Sequence, residues 1–112
     1  MARVRAGKLD RRITIEKPIK EADASGQKIT SWQQHCRTWA AIMPLTGSEQ
    51  LKDNRQVSED VRWIITVRYN TLNSQVAADM RIQHAGRTLS IQSAIDVDDR
   101  HEQIEITALE RK

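Results

Sequence analysis

The stretch that decides the fold is residues 39–49, which read WAAIMPLTGSE. Its first five residues are apolar on both faces of a predicted strand, with Trp39, Ala41 and Met43 on one face and Ala40 and Ile42 on the other. Pro44 has no N–H to give to a sheet ladder, so we expect regular pairing to end there. Thr46 and Glu49 have the spacing of a capping box, which satisfies backbone N–H groups at the start of a helix. The stretch therefore predicts an apolar strand, a stop and a short helix.

Outward from this stretch, alternating hydrophobicity predicts further short strands. Residues 9–17 form the first, which Pro18 is expected to end. Residues 28–34 form the second, and a bend near His35 could join it to the strand at 39–43. The same pattern recurs in residues 61–69, 80–84, 88–92 and 104–108, with a tight turn at Ala85-Gly86. Six or seven strands with one short helix or long loop predict an all-β fold, either a small barrel or a sandwich.

The composition indicates one soluble domain with a small core. The chain has 112 residues, 38% hydrophobic and 29% charged. It has three Trp, one Tyr and no Phe, so Trp, Ile, Val and Leu must supply most of the buried surface. The predicted core consists of Ile13, Ile15, Trp39, Ile42, Trp63, Ile65, Val67, Ile82, Ile91, Ile104 and Ile106.

Residues 46–56 have helical start signals but almost no apolar face. Leu51 is their only large apolar residue, and Val57 follows them. A helix of this length without packing is marginal in water. The segment is therefore either a mobile excursion or an element that finds its partner on another chain.

No catalytic constellation is present. The sequence lacks a phosphate-binding glycine loop, a nucleophile elbow and a His-Glu-x-x-His pattern. His84 is interpreted as a hydrogen-bonded core or rim residue. The turn that contains Asp96, Asp98, Asp99 and Glu102 offers oxygen ligands for a hard cation, but its spacing differs from the calcium loop and a solvated turn is the favoured interpretation. We expect no enzyme activity, no cofactor and no metal.

The charge is mildly basic, with 18 Lys and Arg against 15 Asp and Glu. Arg3, Arg5 and Lys8 lie in an acid-free N-terminal segment, which is either a solvated terminus or a basic arm for phosphates or an acidic protein surface. We see neither a signal peptide nor a run of about 18 apolar residues, so we expect cytoplasmic synthesis and no membrane contact. Cys36 is the only cysteine, which rules out an intrachain disulfide.

An ordered series of short motifs extends over nearly the whole chain. The series comprises Leu9-Asp10-Arg11-Arg12-Ile13-Thr14-Ile15; Asp23, Gly26 and Ser31-Trp32; Trp39-Ala40, Ile42, Pro44-Leu45, Gly47 and Glu49; Ile65, Val67, Arg68 and Tyr69; Asp79, Arg81-Ile82, Gly86 and Ile91; and Ile95, Asp96 and Arg100. In this order the motifs resemble the tailed-phage head–tail joining family, also called head-closure or stopper proteins.

The resemblance implies a small β-barrel that assembles as a twelvefold ring in the virion neck, below the portal and its adaptor. Such proteins close the DNA-filled head and present a surface to the tail. The implied partners are other copies of the chain, the portal–adaptor complex, tail proteins and double-stranded DNA that passes without sequence specificity. The implied interface or lumen loop lies in residues 46–60, with Glu49, Leu51, Lys52, Asp53 and Arg55 as its polar and apolar contacts. Residues 70–78 are the alternative loop, and Arg3, Arg5 and Lys8 form the expected docking arm.

A second function, from a different class, fits the same composition. An OB-type barrel binds nucleic acid through a basic groove and stacked aromatic side chains. The aromatics are few here, and Trp39 and Trp63 are expected to be buried, which leaves Trp32 as the indole most free to sit at a surface. A strongly salt-dependent affinity for single strands would favour this alternative.

Overall fold

A computed structural model describes residues 8–45 and 61–110, and within them six antiparallel strands form one closed barrel. The strands are β1 (Arg11–Ala22), β2 (Lys28–Pro44), β3 (Val61–Arg68), β4 (Arg81–His84), β5 (Arg87–Asp96) and β6 (Gln103–Glu110). Their order around the barrel is β1-β2-β3-β6-β5-β4, and β4 closes it by pairing with β1. The predicted all-β fold is confirmed, and of the two forms considered the structure has the barrel.

Three local predictions from the sequence are confirmed. β2 ends at Pro44, which is the last residue paired with β3. β2 is continuous through His35, because Ile15 pairs with Cys36 and Glu16 with Gln34, which leaves His35 as the extra residue of a β-bulge. The turn Ala85-Gly86 has φ values of 51° and 79°, the left-handed conformations that a two-residue hairpin turn of type I′ requires.

Pro18 does not end β1, contrary to the sequence-based expectation. β1 continues to Ala22 and pairs with β2 throughout, with Pro18 opposite Trp32. β4 pairs with β1 only as far as Glu16, so beyond that residue β1 has a neighbour on one side only within the described part of the chain. A missing N–H is tolerated on such an edge. Residues 17–33 thus form a two-stranded extension of the barrel, called the ribbon below.

The barrel interior is filled by branched and small side chains. The buried apolar residues are Ile13, Ile15, Cys36, Ala40, Ile65, Val67, Val76, Ile82, Leu89, Ile91, Val97, Ile104, Ile106 and Ala108. Ile42 and Trp63, both expected in the core, are only partly buried and pack against its margin. A small barrel has room for side chains of this size and little more, which explains why no indole lies in its centre.

Trp39 lies outside the core, which corrects its predicted position. Its side chain is 51% exposed, whereas the next residue, Ala40, is completely buried. Both faces of residues 39–43 are apolar, so alternation alone could not tell which one points inward. The register does: Ala40 pairs with Val67, which is also buried, so Ala40 and Ile42 face the interior and Trp39 faces out.

Strand direction divides the barrel into two ends. β1, β3 and β5 run one way and β2, β4 and β6 the other. The hairpin end carries the Ala85-Gly86 turn, the starts of β1 and β3, and the ends of β2 and β6. The ribbon end carries the ribbon, the connection from β3 to β4, and the turn from β5 to β6.

Candidate interaction surfaces

The ribbon leaves the barrel at the His35 bulge. Its pairing runs from Lys17 opposite Gln33 to Ala22 opposite Lys28. In this stretch each strand has only the other as its sheet neighbour among the described residues. A bulge bends its strand and increases the local twist, so this position turns the ribbon relative to the barrel wall. The ribbon is therefore the part of the described chain best placed to contact another molecule.

The base of the ribbon is tied to β4 by charge and stacking. The Arg81 guanidinium lies 4.2 Å from the Trp32 ring centroid. Its Nε donates to Glu16 Oε1 at 2.6 Å, and Gln83 Nε2 also donates to that oxygen at 3.4 Å. Cation–π contacts at exposed sites contribute about 0.5–1 kcal/mol, and partial burial strengthens them. These contacts hold the ribbon at a defined position on the barrel.

A compact turn closes the tip of the ribbon. Asp23 Oδ1 accepts from the backbone N–H of Ser25 at 3.0 Å and of Gln27 at 2.8 Å, and from Ser25 Oγ at 2.9 Å. The hydrogen bond from the Ser25 hydroxyl is the main reason that the pKa of Asp23 lies below its ordinary value. Gly26 has φ +88°, a conformation that favours glycine. The tip is thus a specific turn, so the ribbon presents a defined shape.

The exposed surface of the ribbon is rich in lysine. Lys17, Lys20 and Lys28 are exposed, and no ion pair within the described residues involves them. Lys20 and Lys28 share one face with Thr30, because Lys20 pairs with Thr30 and Lys28 with Ala22. Lysines on an unpaired edge disfavour uncontrolled strand-to-strand association. The ribbon is thereby suited to docking through charge.

The turn from β5 to β6 forms an acidic corner, defined here as residues 95–102. It contains four carboxylates and one arginine, Arg100. Asp98 and Asp99 are exposed at its tip, and Ile95 beside them is 50% exposed. Both aspartates have positive φ, 56° and 54°, which a short polar side chain tolerates better than most. The corner presents negative charge next to an apolar side chain.

Hydrogen bonding holds the acidic corner together. Asp96 accepts from the backbone N–H of His101 and contacts its imidazole Nδ1, and the His101 ring stacks on Tyr69 with 4.8 Å between centroids. The hydrogen bond to Asp96 raises the pKa of His101. Potential ligand atoms of Asp96, Asp99 and His101 lie within 4.8 Å of one another. The hydrogen bonds between Asp96 and His101 account for the positions of these side chains.

The connection from β3 to β4 covers the barrel at the ribbon end. Asn73 is 1% exposed, and its Nδ2 donates to the Arg68 carbonyl at 2.7 Å and to Thr38 Oγ1 at 3.2 Å. Its Oδ1 lies 3.5 Å from the Cys36 thiol, whose pKa is raised by burial. This amide therefore fixes the connection to β2 and β3. Its role was missed from sequence, because one Asn in a polar segment carries no periodic signal.

Two further indoles lie at the outside or rim of the barrel. Arg12 stacks over Trp39 at 5.1 Å and Arg87 over Trp63 at 5.2 Å. Trp63 Nε1 donates to Glu110 Oε1 at 3.0 Å, and Arg87 lies 3.7 Å from the same carboxylate. Each of the three indoles therefore has an arginine against its ring, which occupies one of the surfaces on which a base could stack.

Other predicted site residues are distributed as follows. Those on the predicted loop and most of the arm lie outside the described residues, namely Glu49, Leu51, Lys52, Asp53, Arg55, Arg3 and Arg5. Lys8 is described and exposed, just before β1. His84 Nδ1 lies 3.2 Å from the Arg12 carbonyl, which confirms a hydrogen-bonded rim histidine.

Within residues 8–45 and 61–110, no helix has the length and apolarity to cross a membrane.

Comparison with known proteins identifies the family. The family model described as phage head completion protein matches residues 4–111. The chain belongs to the phage head completion protein family. It is accordingly a structural protein of the phage virion, with a role in the phage head. No curated protein sequence matches it significantly.

Two solved structures share its fold. A chain in the virion of a native gene transfer agent particle superposes with a TM-score of 0.70 at 20% identity, over 92% of this chain and 94% of that one. The solution structure of a protein from Shigella flexneri 2a superposes with a TM-score of 0.71 at 25% identity, over 96% of both chains. Coverage of this extent includes the ribbon as well as the barrel, so both belong to the shared fold.

Proposed function

We propose that this head completion protein closes the DNA-filled head below the portal and adaptor and joins it to the tail. Family membership over residues 4–111 is the observation that supports the proposal. In this role the chain forms a ring in the virion neck, with twelve copies as the expected number. It contacts the portal–adaptor complex, tail proteins and passing DNA, and it is made in the host cytoplasm.

The distribution of charged groups supports a role in assembly. Among the described residues, the interior of the barrel is filled by apolar side chains. The lysines of the ribbon and the aspartates of the acidic corner are exposed, at one end of the barrel. Charged groups in this arrangement recognise other macromolecules and orient their approach. A cavity of about 250 Å³ opens at the same end of the barrel, with Tyr69, Ser74 and Asp96 among its lining residues.

The alternative of an OB-type nucleic-acid-binding barrel gains no support from the described residues. An OB fold has five strands, whereas the described residues of this chain form a barrel of six. Its stacking surface would need accessible aromatic faces, and arginines lie against all three indoles. DNA contact in the proposed function instead occurs through the backbone of packaged duplex, without reading of its bases.

Residues 46–60 are our proposed contact with neighbouring copies or with the lumen of the ring. Leu45 and Val61, which flank this segment, lie at the hairpin end, where β1 also starts. Glu49, Lys52, Asp53 and Arg55 supply its polar contacts and Leu51 its apolar one. Arg3, Arg5 and Lys8 form the proposed docking arm, which enters the barrel at the same end.

Electron microscopy of particles made with and without this chain tests the function. We expect particles without it to have unsealed or tailless heads, and full-length protein supplied in trans to restore them. Sealed and tailed particles in its absence would contradict the proposal. A chain found only on the outer capsid surface would contradict the neck position.

The Leu51→Ser variant tests the segment separately, with Leu51→Met as the apolar control. We expect Leu51→Ser to leave the melting temperature of the isolated chain unchanged but to yield heads that lose DNA or lack tails. Leu51→Met should behave as the unaltered protein. A large loss of stability in the isolated Leu51→Ser variant, with normal particles, would assign Leu51 to the core instead.

A further inference from the structure

The ribbon and the acidic corner lie on opposite sides of the barrel at the same end. The strand order β1-β2-β3-β6-β5-β4 places the β1–β2 pair across the barrel from the β6–β5 pair. β5 runs in the same direction as β1, so the turn after β5 lies at the end from which the ribbon extends. One molecule thus carries two different charged surfaces on opposite sides of the barrel.

The two surfaces have opposite charge. Lys20 and Lys28 share an exposed face of the ribbon and have no ion-pair partner within the described residues. Asp98 and Asp99 are exposed at the tip of the acidic corner, also without an ion pair there. Surfaces of opposite sign attract one another and fix the orientation of approach. Each surface is therefore a suitable partner for the other on a second copy of this chain.

Opposed, complementary surfaces on one molecule produce head-to-tail contacts. When the rotation between successive copies closes, such contacts generate a ring, whereas a surface that pairs with itself gives a two-fold dimer. We propose that the lysine face of the ribbon of one copy docks on the acidic corner of the next copy. Ile95, half exposed in the corner, supplies an apolar contact beside the charges. The proposal rests on the ring of the proposed function and names the surfaces that build it.

The charges also suit a weak contact that forms reversibly. Exposed ion pairs contribute little to affinity, so this interface directs association more than it stabilises it. Its effect should appear chiefly in the rate at which copies meet in the correct orientation. We therefore expect the isolated chain to be a monomer that associates transiently, and cross-linking to be the appropriate measurement.

Pairwise cysteine cross-linking in the full-length chain tests the contact. Thr30→Cys places a thiol on the lysine face without changing its charge, and Arg100→Cys places one in the acidic corner. Arg11→Cys, the same substitution at the hairpin end, is the matched control. Cys36 is buried and common to all variants, so it contributes the same background.

At low ionic strength, the Thr30→Cys and Arg100→Cys chains should cross-link at least about tenfold faster than the Thr30→Cys and Arg11→Cys chains. The difference should disappear near 1 M salt, where the Debye length is about 3 Å. Lys20→Gln in the Thr30→Cys chain should slow the reaction, and Lys17→Gln, on the other face of the ribbon, should slow it less. Thermal melts of each variant confirm that the chain is folded.

Equal rates for the two pairs, or a dominant product joining Thr30→Cys to itself, would overturn the proposed interface. The first result means no directed contact, and the second means a two-fold contact. Neither result affects the particle experiment described under the proposed function, because that experiment asks only whether heads are sealed. The two pairs can cross-link at equal rates while particles that lack the chain still have unsealed heads. That combination would reject the interface and leave the proposed function intact.

Discussion

β1 and β2 build both the barrel wall and the ribbon, and the two halves of the pair differ in what surrounds them. In the barrel, Ile13 and Ile15 are almost completely buried and β1 has a neighbour on each side. In the ribbon, the same strands keep their mutual pairing but lose the second neighbour and the core. A two-stranded hairpin is marginal by itself, whereas a closed sheet with a core is stable. The comparison shows that backbone pairing sets the length of the two strands, whereas burial in the barrel supplies their stability. Because the ribbon residues are not needed for the core, their side chains are available for binding.

The largest expected effect is the loss of a barrel isoleucine. Ile15→Ala removes a completely buried side chain and leaves a cavity, so we expect the free energy of unfolding to fall by about 2–5 kcal/mol. That is a large fraction of the roughly 5–15 kcal/mol available to a typical domain. Ile19→Ala, on the same strand but in the ribbon, should lose much less. Denaturant unfolding measures both, and equal losses would mean that the ribbon contributes to the core.

The next effect concerns the amide that fixes the connection at the ribbon end. Asn73→Ala removes a buried amide, whose Nδ2 donates to the Arg68 carbonyl at 2.7 Å and to Thr38 Oγ1 at 3.2 Å. We expect the free energy of unfolding to fall by about 1–3 kcal/mol, because two hydrogen bonds of about 0.5–1.5 kcal/mol each are lost. The neighbouring Ser74→Ala removes only an exposed hydroxyl and is the control. Similar melting temperatures for the two variants would show that water replaces the amide.

A smaller effect is expected at the exposed indole. Trp39→Ala removes a stacking contact with Arg12, worth about 0.5–1 kcal/mol at an exposed site. Its sequence pattern alone had predicted a buried Trp, whose loss would cost about 3–5 kcal/mol. Trp63→Ala should be the more damaging change, since that indole packs on the core and donates to Glu110. The opposite ranking in thermal melts would place Trp39 in the interior and reverse the register of β2.

The smallest effect is the pH dependence of the acidic corner. The hydrogen bond to Asp96 raises the pKa of His101, so its contribution to stability is present below pH 6.5 and is lost as pH rises through the raised value. Partial desolvation of Asp96 opposes the shift of its own pKa, but hydrogen bonds from His101 lower it below 3.8. Its contribution is present above pH 3.8 and is lost as pH falls through the lowered value.

An NMR titration of the His101 imidazole measures this coupling directly. We expect a pKa above the ordinary value in the unaltered protein and a return toward that value in Asp96→Asn. An unchanged His101 titration in Asp96→Asn would mean that the two side chains do not interact in solution.

Predictions from local pattern succeeded where one residue type permits one geometry. Pro44 ends β2 because it has no N–H, and Ala85-Gly86 makes a two-residue turn because glycine tolerates positive φ. They failed where the decision belonged to neighbours in space. Pro18 lies within β1 because no strand of the described residues pairs on its outer side, and no local signal reports the length of β4. The Asn73 amide was likewise invisible, since its partners on β2 and β3 are distant in sequence.

The amino-acid sequence by itself determined an all-β chain, the approximate extent of its strands, the absence of a recognisable catalytic motif and its resemblance to phage head-closure proteins. These follow from side-chain periodicity, turn chemistry and the order of short motifs, all of which are local. Only the tertiary structure decided that the sheet closes as a barrel, that Trp39 faces outward, and that β1 and β2 continue as a ribbon opposite the acidic corner. The physical reason is that register and closure depend on contacts between strands far apart in the chain, and a strand that is apolar on both faces is compatible with either orientation until its neighbour is known.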